Sequence, residues 1–492
     1  MFWTAGHLAD VLAARWLTPQ TASPLTPGVC TDTRAITRGA LFIALRGEKH
    51  DAHAYLEQAI AGGAAMLLID RAEAFDRVRD LAVANSVAVV LVPDTAHALL
   101  TLASAYRDHL ATRGATFIAV GGSNGKTTTV RMIHAALSQS LRGTSSQKSF
   151  NNAIGVPLTV LSAREGDQFV ICEVGTNAPG ELEPLSRAIR PDIVVLTSLG
   201  REHLEGLGSL EGVAHEEAQL VRGLRQGGII IAPCDEPGPL LLSAVRDVLH
   251  AESKQADIIT FGLSKHANVR VANRSQSFEG LTCTLFDGLT FQLPTLGLHN
   301  ATNAAATIAV ARALRLPDSA TIAGLARVQP PAMRLERHVI TTGAADIRLI
   351  NDAYNANPES MLAAIATMRE VQQQERASRL VFILGDMLEL GDHAPAMHAE
   401  IVHAALTAKP DMLAVVGPHF AKAAHESSAH ALARATTTQA DCDAIAAALQ
   451  PGDLVLLKGS RGTAVERVLT SLQARFAPLH EAKPAVAAVP RV

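Results

Sequence analysis

Short apolar runs alternate with stretches of helical periodicity along nearly the whole chain, and they fall into three groups. Up to about residue 113, Gly39–Leu45, Ala64–Asp70 and Val87–Pro93 read as strands with helical segments between and after them. From about 114 to 328 the strand-like runs are Phe117–Gly121, Phe169–Glu173, Ile193–Leu199 and Gly228–Ala232. Val269–Asn273 and Leu281–Phe286 follow, and then an alanine-rich helix from Ala301 to about Arg315. Gln329-Pro330-Pro331 reads as a linker, since prolines stop helices and stiffen a joint. Beyond it, Leu349–Asp352, Leu380–Leu384, Leu413–Val416 and Leu454–Leu457 form a third alternating group. Such alternation predicts α/β domains built on mostly parallel sheets with helices on both faces. The tail Glu481–Val492 is rich in alanine and proline and is expected to be disordered.

Composition narrows the class. At 492 residues the chain is too long for one core and suggests three domains, 1–113, 114–330 and 331–480. A net charge of −4 with no long basic run gives nucleic acid no surface to bind. The five cysteines (Cys30, Cys172, Cys234, Cys283, Cys442) lack C-x-x-C spacing, so reduced thiols in a cytoplasmic protein are expected, without a disulfide frame or a zinc site. The opening MFWTAGHLADVLAARWL has no basic start followed by an apolar block, which argues against a signal peptide. No apolar run approaches the ~18 residues of a membrane span.

The chemistry is densest at Phe117–Val130. A strand runs through Gly121, Gly122, Ser123, Asn124 and Gly125 into Lys126, Thr127, Thr128 and Thr129, which open a helix. That arrangement is expected to offer several backbone N–H groups and the helix dipole to a polyphosphate. Lys126 can reach the outer phosphates and the Thr127 hydroxyl the magnesium they carry. The strict P-loop has a glycine where Val120 stands, so this loop is one residue tighter; an ordinary glycine turn is the alternative. Glu173 closes one buried strand and His203 follows another, where ligands of parallel sheets bind. Glu173 suits Mg²⁺, with a capping or salt-bridged acid the lesser alternative; for His203 alone a packed or solvent-facing histidine is an equal reading. Asn300 and Asn303, three apart on a helix, can face one ligand, with N-capping the alternative for Asn300. In the third group, polar clusters at 352–358, 385–391 and 458–462 mark one binding edge.

Together these stretches resemble the Mur ligases, ATP-dependent amide-forming enzymes of peptidoglycan precursor synthesis. The resemblance rests on GGSNGKTTT (121–129), SFNNAIGVPLTVL (149–161), EVGTNAPGELEPLSRAIRPDIVVLT (173–197) and HLEGLGS (203–209). NDAYNANPES (351–360) and LGDMLELG (384–391) are similar to the branch that adds D-alanyl-D-alanine to a UDP-N-acetylmuramoyl-tripeptide. TDTR (31–34) and GEKHDAH (47–53) resemble segments that hold the uridine nucleotide, with Ala52 replacing a family glycine. The resemblance implies a small UDP-substrate-binding N-terminal domain, a central P-loop-type ATPase domain and a C-terminal Rossmann-like ligase domain. It implies an acyl-phosphate intermediate shielded by domain closure, ATP and Mg²⁺ as cofactors, and a monomer with no nucleic-acid or membrane partner.

Residue roles follow from the same resemblance. Lys126 and Thr127, with the rest of Gly122–Thr128, would bind phosphates. Glu173 and His203 would hold Mg²⁺. Asn300 and Asn303 would approach adenine, Arg334 the phosphates and Asp352 the ribose. Thr33, Arg34, Asp51, His53, Asn151 and Asn152 would serve the UDP-sugar substrate, and Tyr354, Asn355 and Asn357 the dipeptide. One departure stands out: many Mur ligases carry a carbamylated, magnesium-binding lysine where this chain has Glu217. Glu217, or Glu216 beside it, is expected to serve Mg²⁺ directly or through water. Two alternatives stay open, a nucleotide-binding regulator without catalysis and a folylpolyglutamate-synthase-like ligase with another acceptor.

Overall fold

The computed structural model describes residues 1–47, 50–147, 150–375 and 379–476. Glu48, Lys49 and Ser149 of the quoted motifs, and the tail expected to be disordered, lie outside the described residues. Contacts divide the chain into two compact units, Met1–Pro331 with Glu389–Gly391, and Ala332–Leu388 with the residues from Asp392 onward. Three sheets lie within them, two in the first unit and one in the second.

The N-terminal sheet has the order Arg15–Trp16, Ala88–Leu91, Met66–Ile69, Leu41–Ile43, Val29–Cys30, parallel except at its first strand. Its three central strands are the three runs read from the sequence, each trimmed to its buried middle. The helix Thr95–Ala111 packs against the helices Gly155–Ser162 and Leu182–Ile189. Tyr106 is fully buried there, with its hydroxyl donating to Ala163 O at 2.9 Å. The first two sheets lie within one compact unit.

The central sheet has nine strands. Seven run parallel in the order Gly143–Ser145, Phe169–Glu173, Thr116–Gly121, Ile193–Leu196, Gly228–Pro233, Ala256–Gly262, Val269–Ser277. Gly280–Leu285 and Thr290–Leu293 then add an antiparallel edge. Thr116–Gly121 and Phe169–Glu173 are almost wholly buried, as strands covered by helices on both faces must be. The helix His299–Ala313 packs on the sheet through a stripe of alanines, whose small side chains let it approach closely.

The sheet of the second unit has the order Glu336–Ile340, Ile347–Asp352, Asp453–Lys458, Arg379–Gly385, Met412–Val416, Ala431–Arg434. Only Glu336–Ile340 runs antiparallel to its neighbour. No helix among the described residues is long and apolar enough to cross a membrane.

Candidate functional site

The site is set by three neighbouring strands of the central sheet. Val120 pairs with Glu173 and Gly121 with Leu196, so the phosphate loop, Glu173 and the segment leading to His203 all leave the same carboxyl edge. Two glycines fix the loop's path. Gly122 (φ +107°) lies where a Cβ would come within 2.5 Å of Thr197 Oγ1, and Gly125 (φ +85°) where one would meet Asn303 Oδ1 at 2.9 Å. Gly125 caps the helix Lys126–Leu137, whose first turn buries Thr127 and Thr128.

The expectation that the loop leaves its N–H groups open needs correction. Gly122 N–H donates to Glu217 Oε2 at 2.7 Å, Ser123 N–H to Ser198 O at 2.9 Å, and Asn124 N–H to Ser198 Oγ at 2.9 Å. The expected strand Ile193–Leu199 accordingly stops at Leu196. Thr197 turns its N–H toward Gly121 O (2.9 Å), and its hydroxyl lies 2.6 Å from Asn124 O. The N–H groups in the middle of the loop are thus engaged within the protein, and the helix dipole acts at the start of Lys126–Leu137.

Lys126 Nζ donates to Gly122 O at 2.6 Å and Ser123 O at 3.2 Å, and lies 3.7 Å from Glu202 Oε1. Glu202 was not singled out by sequence. It sits beside His203 as one more acid on a polar turn, and only its 6% exposure reveals it. Burial pushes its carboxyl up to about 8, against the pull of the Lys126 ammonium and with a further push from Glu217. Burial likewise raises Glu217, opposed by Lys126 and the Gly122 N–H. His203 takes a left-handed backbone (φ +51°), a conformation that costs a non-glycine residue about 1–3 kcal/mol and persists only where its surroundings impose it. Burial lowers its pKa, favouring the neutral imidazole that can ligate a cation.

Glu173 is 1% exposed and accepts from Asn151 Nδ2 at 3.2 Å, so these two expected site residues meet. Asn152 instead accepts from Ile154 N–H and Gly155 N–H at the start of the helix Gly155–Ser162. Asn300 is buried inside its helix rather than capping it, donating to Leu296 O at 2.6 Å. Its Oδ1 accepts from Asn303 Nδ2 at 2.8 Å, so Asn303 is the member of the pair that closes on Gly125. Glu216 is removed from the candidates for magnesium, because its two oxygens accept from Gly180 N–H (2.8 Å) and Leu182 N–H (3.0 Å) at a helix start.

Among the N-terminal residues, Asp51 accepts from His53 N–H and His53 Nδ1 and pairs with Arg71. His53 is buried, and its Nε2 accepts from Asp70 N–H at 3.2 Å, which places the ring proton on Nδ1. Thr33 and Arg34 stand on an exposed turn headed by Asp32, whose carboxyl the Arg34 guanidinium holds down at about 2. In the second unit Arg334 lies over the Tyr354 ring, 4.3 Å from its centroid. Asp352 accepts from Lys458 Nζ at 2.7 Å and Leu335 N–H at 3.1 Å. Asn355 is exposed, whereas buried Asn357 accepts from Ser360 N–H at the start of the helix Pro358–Glu375.

The donor set suits Mg²⁺ held largely through phosphates and water. Among the described residues no three His, Cys, Asp or Glu side chains form a ready-made cage. Glu217 Oε1 is nevertheless buried with no hydrogen-bond partner, an acceptor that a hydrated cation would satisfy.

Three family descriptions match the sequence: "Mur ligase family, catalytic domain" over residues 27–107, "Mur ligase middle domain" over 120–311, and "Mur ligase, glutamate ligase domain" over 333–461. The UDP-N-acetylmuramoyl-tripeptide–D-alanyl-D-alanine ligase of Bacillus subtilis is 36% identical, covering 95% of this chain and 98% of its own. Its Escherichia coli namesake is 32% identical over 96% and 98%. A crystal structure of MurF from Acinetobacter baumannii superposes with a TM-score of 0.81 at 28% identity, over 96% of this chain and 99% of that one. The loop, the strand-end acid and histidine, and this full-length likeness agree: the chain belongs to the Mur ligase family.

Proposed function

We propose that the chain is an ATP-dependent ligase that joins D-alanyl-D-alanine to UDP-N-acetylmuramoyl-tripeptide, as a cytoplasmic monomer in peptidoglycan precursor synthesis. The observation that supports this most is the 36% identity, over 95% of the chain, to a relative bearing that name. On this reading residues 1–113 bind the UDP substrate, 114–330 bind ATP and 331–480 form the ligase domain.

The chemistry accounts for the residue types. A carboxylate resists an amine because its leaving group would be oxide. Phosphorylation by ATP turns the tripeptide's terminal carboxylate into an acyl phosphate. Attack by the dipeptide's amine then expels phosphate and leaves an amide. Lys126 would neutralise charge on the transferring phosphoryl group, with the loop and first helical turn, Gly122–Thr128, orienting it. Bound Mg²⁺ would add charge neutralisation, held by Thr127, Glu173, His203 and Glu217. Asn151 would orient Glu173, and Asn303 would line the nucleotide pocket with Asn300 behind it. Thr33, Arg34 and Asp51 would meet the uridine nucleotide, with buried His53 fixing the Asp51 turn, and Asn152 would flank the sugar. Arg334 would serve the phosphates and Asp352 the ribose, and Tyr354, Asn355 and Asn357 the dipeptide.

A phosphate-release assay with the purified protein tests this. Release is expected only when ATP, UDP-tripeptide and D-alanyl-D-alanine are all present, with one UDP-linked pentapeptide formed per phosphate released. Equal release without the dipeptide would reject the ligase reading.

A further inference from the structure

Each peptide at the base of the phosphate loop is held from outside the loop. The Gly121–Gly122 peptide is pinned at both ends, since Gly121 O accepts from Thr197 N–H at 2.9 Å and Gly122 N–H donates to Glu217 Oε2 at 2.7 Å. The next carbonyl, Gly122 O, accepts from Lys126 Nζ at 2.6 Å, so the residue that Glu217 holds also sets the resting place of the lysine. The other groups that hold the loop, Thr197 as donor and Ser198 as acceptor, belong to the segment directly after an adjacent strand and are placed by the sheet itself. Glu217 comes from the helix Leu210–Ala218 and reaches the loop through the full length of its side chain.

Glu217 is fully buried, and a Cβ on Gly121 would meet its Oε2 at 3.0 Å and Leu220 at 2.7 Å. Its carboxylate is therefore wedged against the loop with little room to swing. Burying a carboxylate with one oxygen unpartnered is costly, and an apolar side chain would avoid that cost only by stranding the buried Gly122 N–H. Something other than packing must account for an acid here.

We propose that Glu217 is a positioning residue for the nucleotide. Its Oε2 fixes the Gly122 peptide, and through it the loop and Lys126, before any phosphate arrives. Oε1, buried and without a hydrogen-bond partner, would be the atom that serves a cation. This rests on the nucleotide-binding reading above. It separates two properties of Glu217, the length that reaches Gly122 and the charge that would serve a cation.

Two substitutions pull those properties apart in the full chain. Glu217→Gln keeps the length and an acceptor oxygen but not the charge, whereas Glu217→Asp keeps the charge but not the reach. ADP affinity is measured by calorimetry with EDTA and with Mg²⁺, alongside thermal unfolding. In EDTA, Glu217→Gln is expected to bind ADP within about twofold of the parent, and Glu217→Asp about tenfold or more weakly. Glu217→Met, of similar length without an acceptor, is expected to match Glu217→Asp and replaces it if the aspartate variant does not fold. Parent-like binding by Glu217→Asp, with weakened binding by Glu217→Gln, would overturn the proposal in favour of charge alone. Parent-like binding by all three would reduce Glu217 to a space filler. Failure of the parent protein itself to bind ADP would instead reject the nucleotide reading.

Discussion

The Arg334 guanidinium stands 4.3 Å from the centroid of the Tyr354 ring, between two residues in left-handed backbone, Met333 (φ +56°) and Leu335 (φ +50°). Three hydrogen bonds hold that bend: Met333 N–H to Glu336 Oε2, Leu335 N–H to Asp352 Oδ1 and Tyr354 N–H to Met333 O. An arginine proposed for the nucleotide and a tyrosine proposed for the dipeptide are thus stacked on each other.

That stacking has a kinetic consequence. Tyr354→Phe keeps the ring face and is expected to leave the KM values for ATP and dipeptide within about twofold of the parent. Tyr354→Leu removes the ring, and both KM values are expected to rise together, by about threefold to thirtyfold. Steady-state kinetics with each substrate varied in turn checks this; a rise confined to the dipeptide would show that the stack does not couple the two.

Lys458 is 2% exposed and gives its ammonium to Asp352 Oδ2 and to Asn355 O. Lys458→Met would strand the mostly buried Asp352 carboxylate and is expected to destabilise the second unit by about 3–5 kcal/mol. Adding Asp352→Asn is expected to recover part of that loss. Urea unfolding of the single and double variants measures it, and equal stability of Lys458→Met and the parent would contradict the account.

Burial holds the His398 pKa below 6.5, opposed by its bond to Ala394 O and by Asp386. Neutral His398 donates from Nδ1 to Ala394 O (2.6 Å) and accepts Met387 N–H on Nε2 (3.0 Å), a bond that protonation would break. The unfolded chain takes up this proton near 6.5 while the folded chain resists. This contribution is therefore complete above about pH 6.5 and declines as pH falls below it. His398→Gln is expected to flatten the fall in unfolding temperature between pH 6.5 and 5, and calorimetry across that range reads it. An unchanged slope would count against the assignment.

The sequence displayed most clearly what burial writes plainly. Phe169–Glu173 and Leu454–Leu457 are covered on both faces, so their apolar runs are continuous and readable. Glu336–Ile340 and Ala431–Arg434 are half-exposed edge strands whose mixed composition resembles a loop, and they were not anticipated. Glu217 could be noticed as a departure from the family pattern. Its bond to Gly122 spans 95 positions, however, and no local rule reports such a contact. The roles of Thr197 and Ser198 were hidden for a related reason. Polar residues after a strand look like a solvated turn until the sheet sets them beside the loop. For Asn300 and Asn303 the spacing was right and the shared ligand was not evident, because one amide partners the other.

Carboxyl activation by phosphoryl transfer is the centre of the account, and isotope transfer tests it most directly. The UDP-tripeptide is prepared with ¹⁸O in both oxygens of its terminal carboxylate, and the phosphate released during ligation is analysed by mass spectrometry. One ¹⁸O is expected in each phosphate, carried over as the acyl–oxygen bond breaks. Phosphate free of ¹⁸O, formed alongside the amide product, would contradict it.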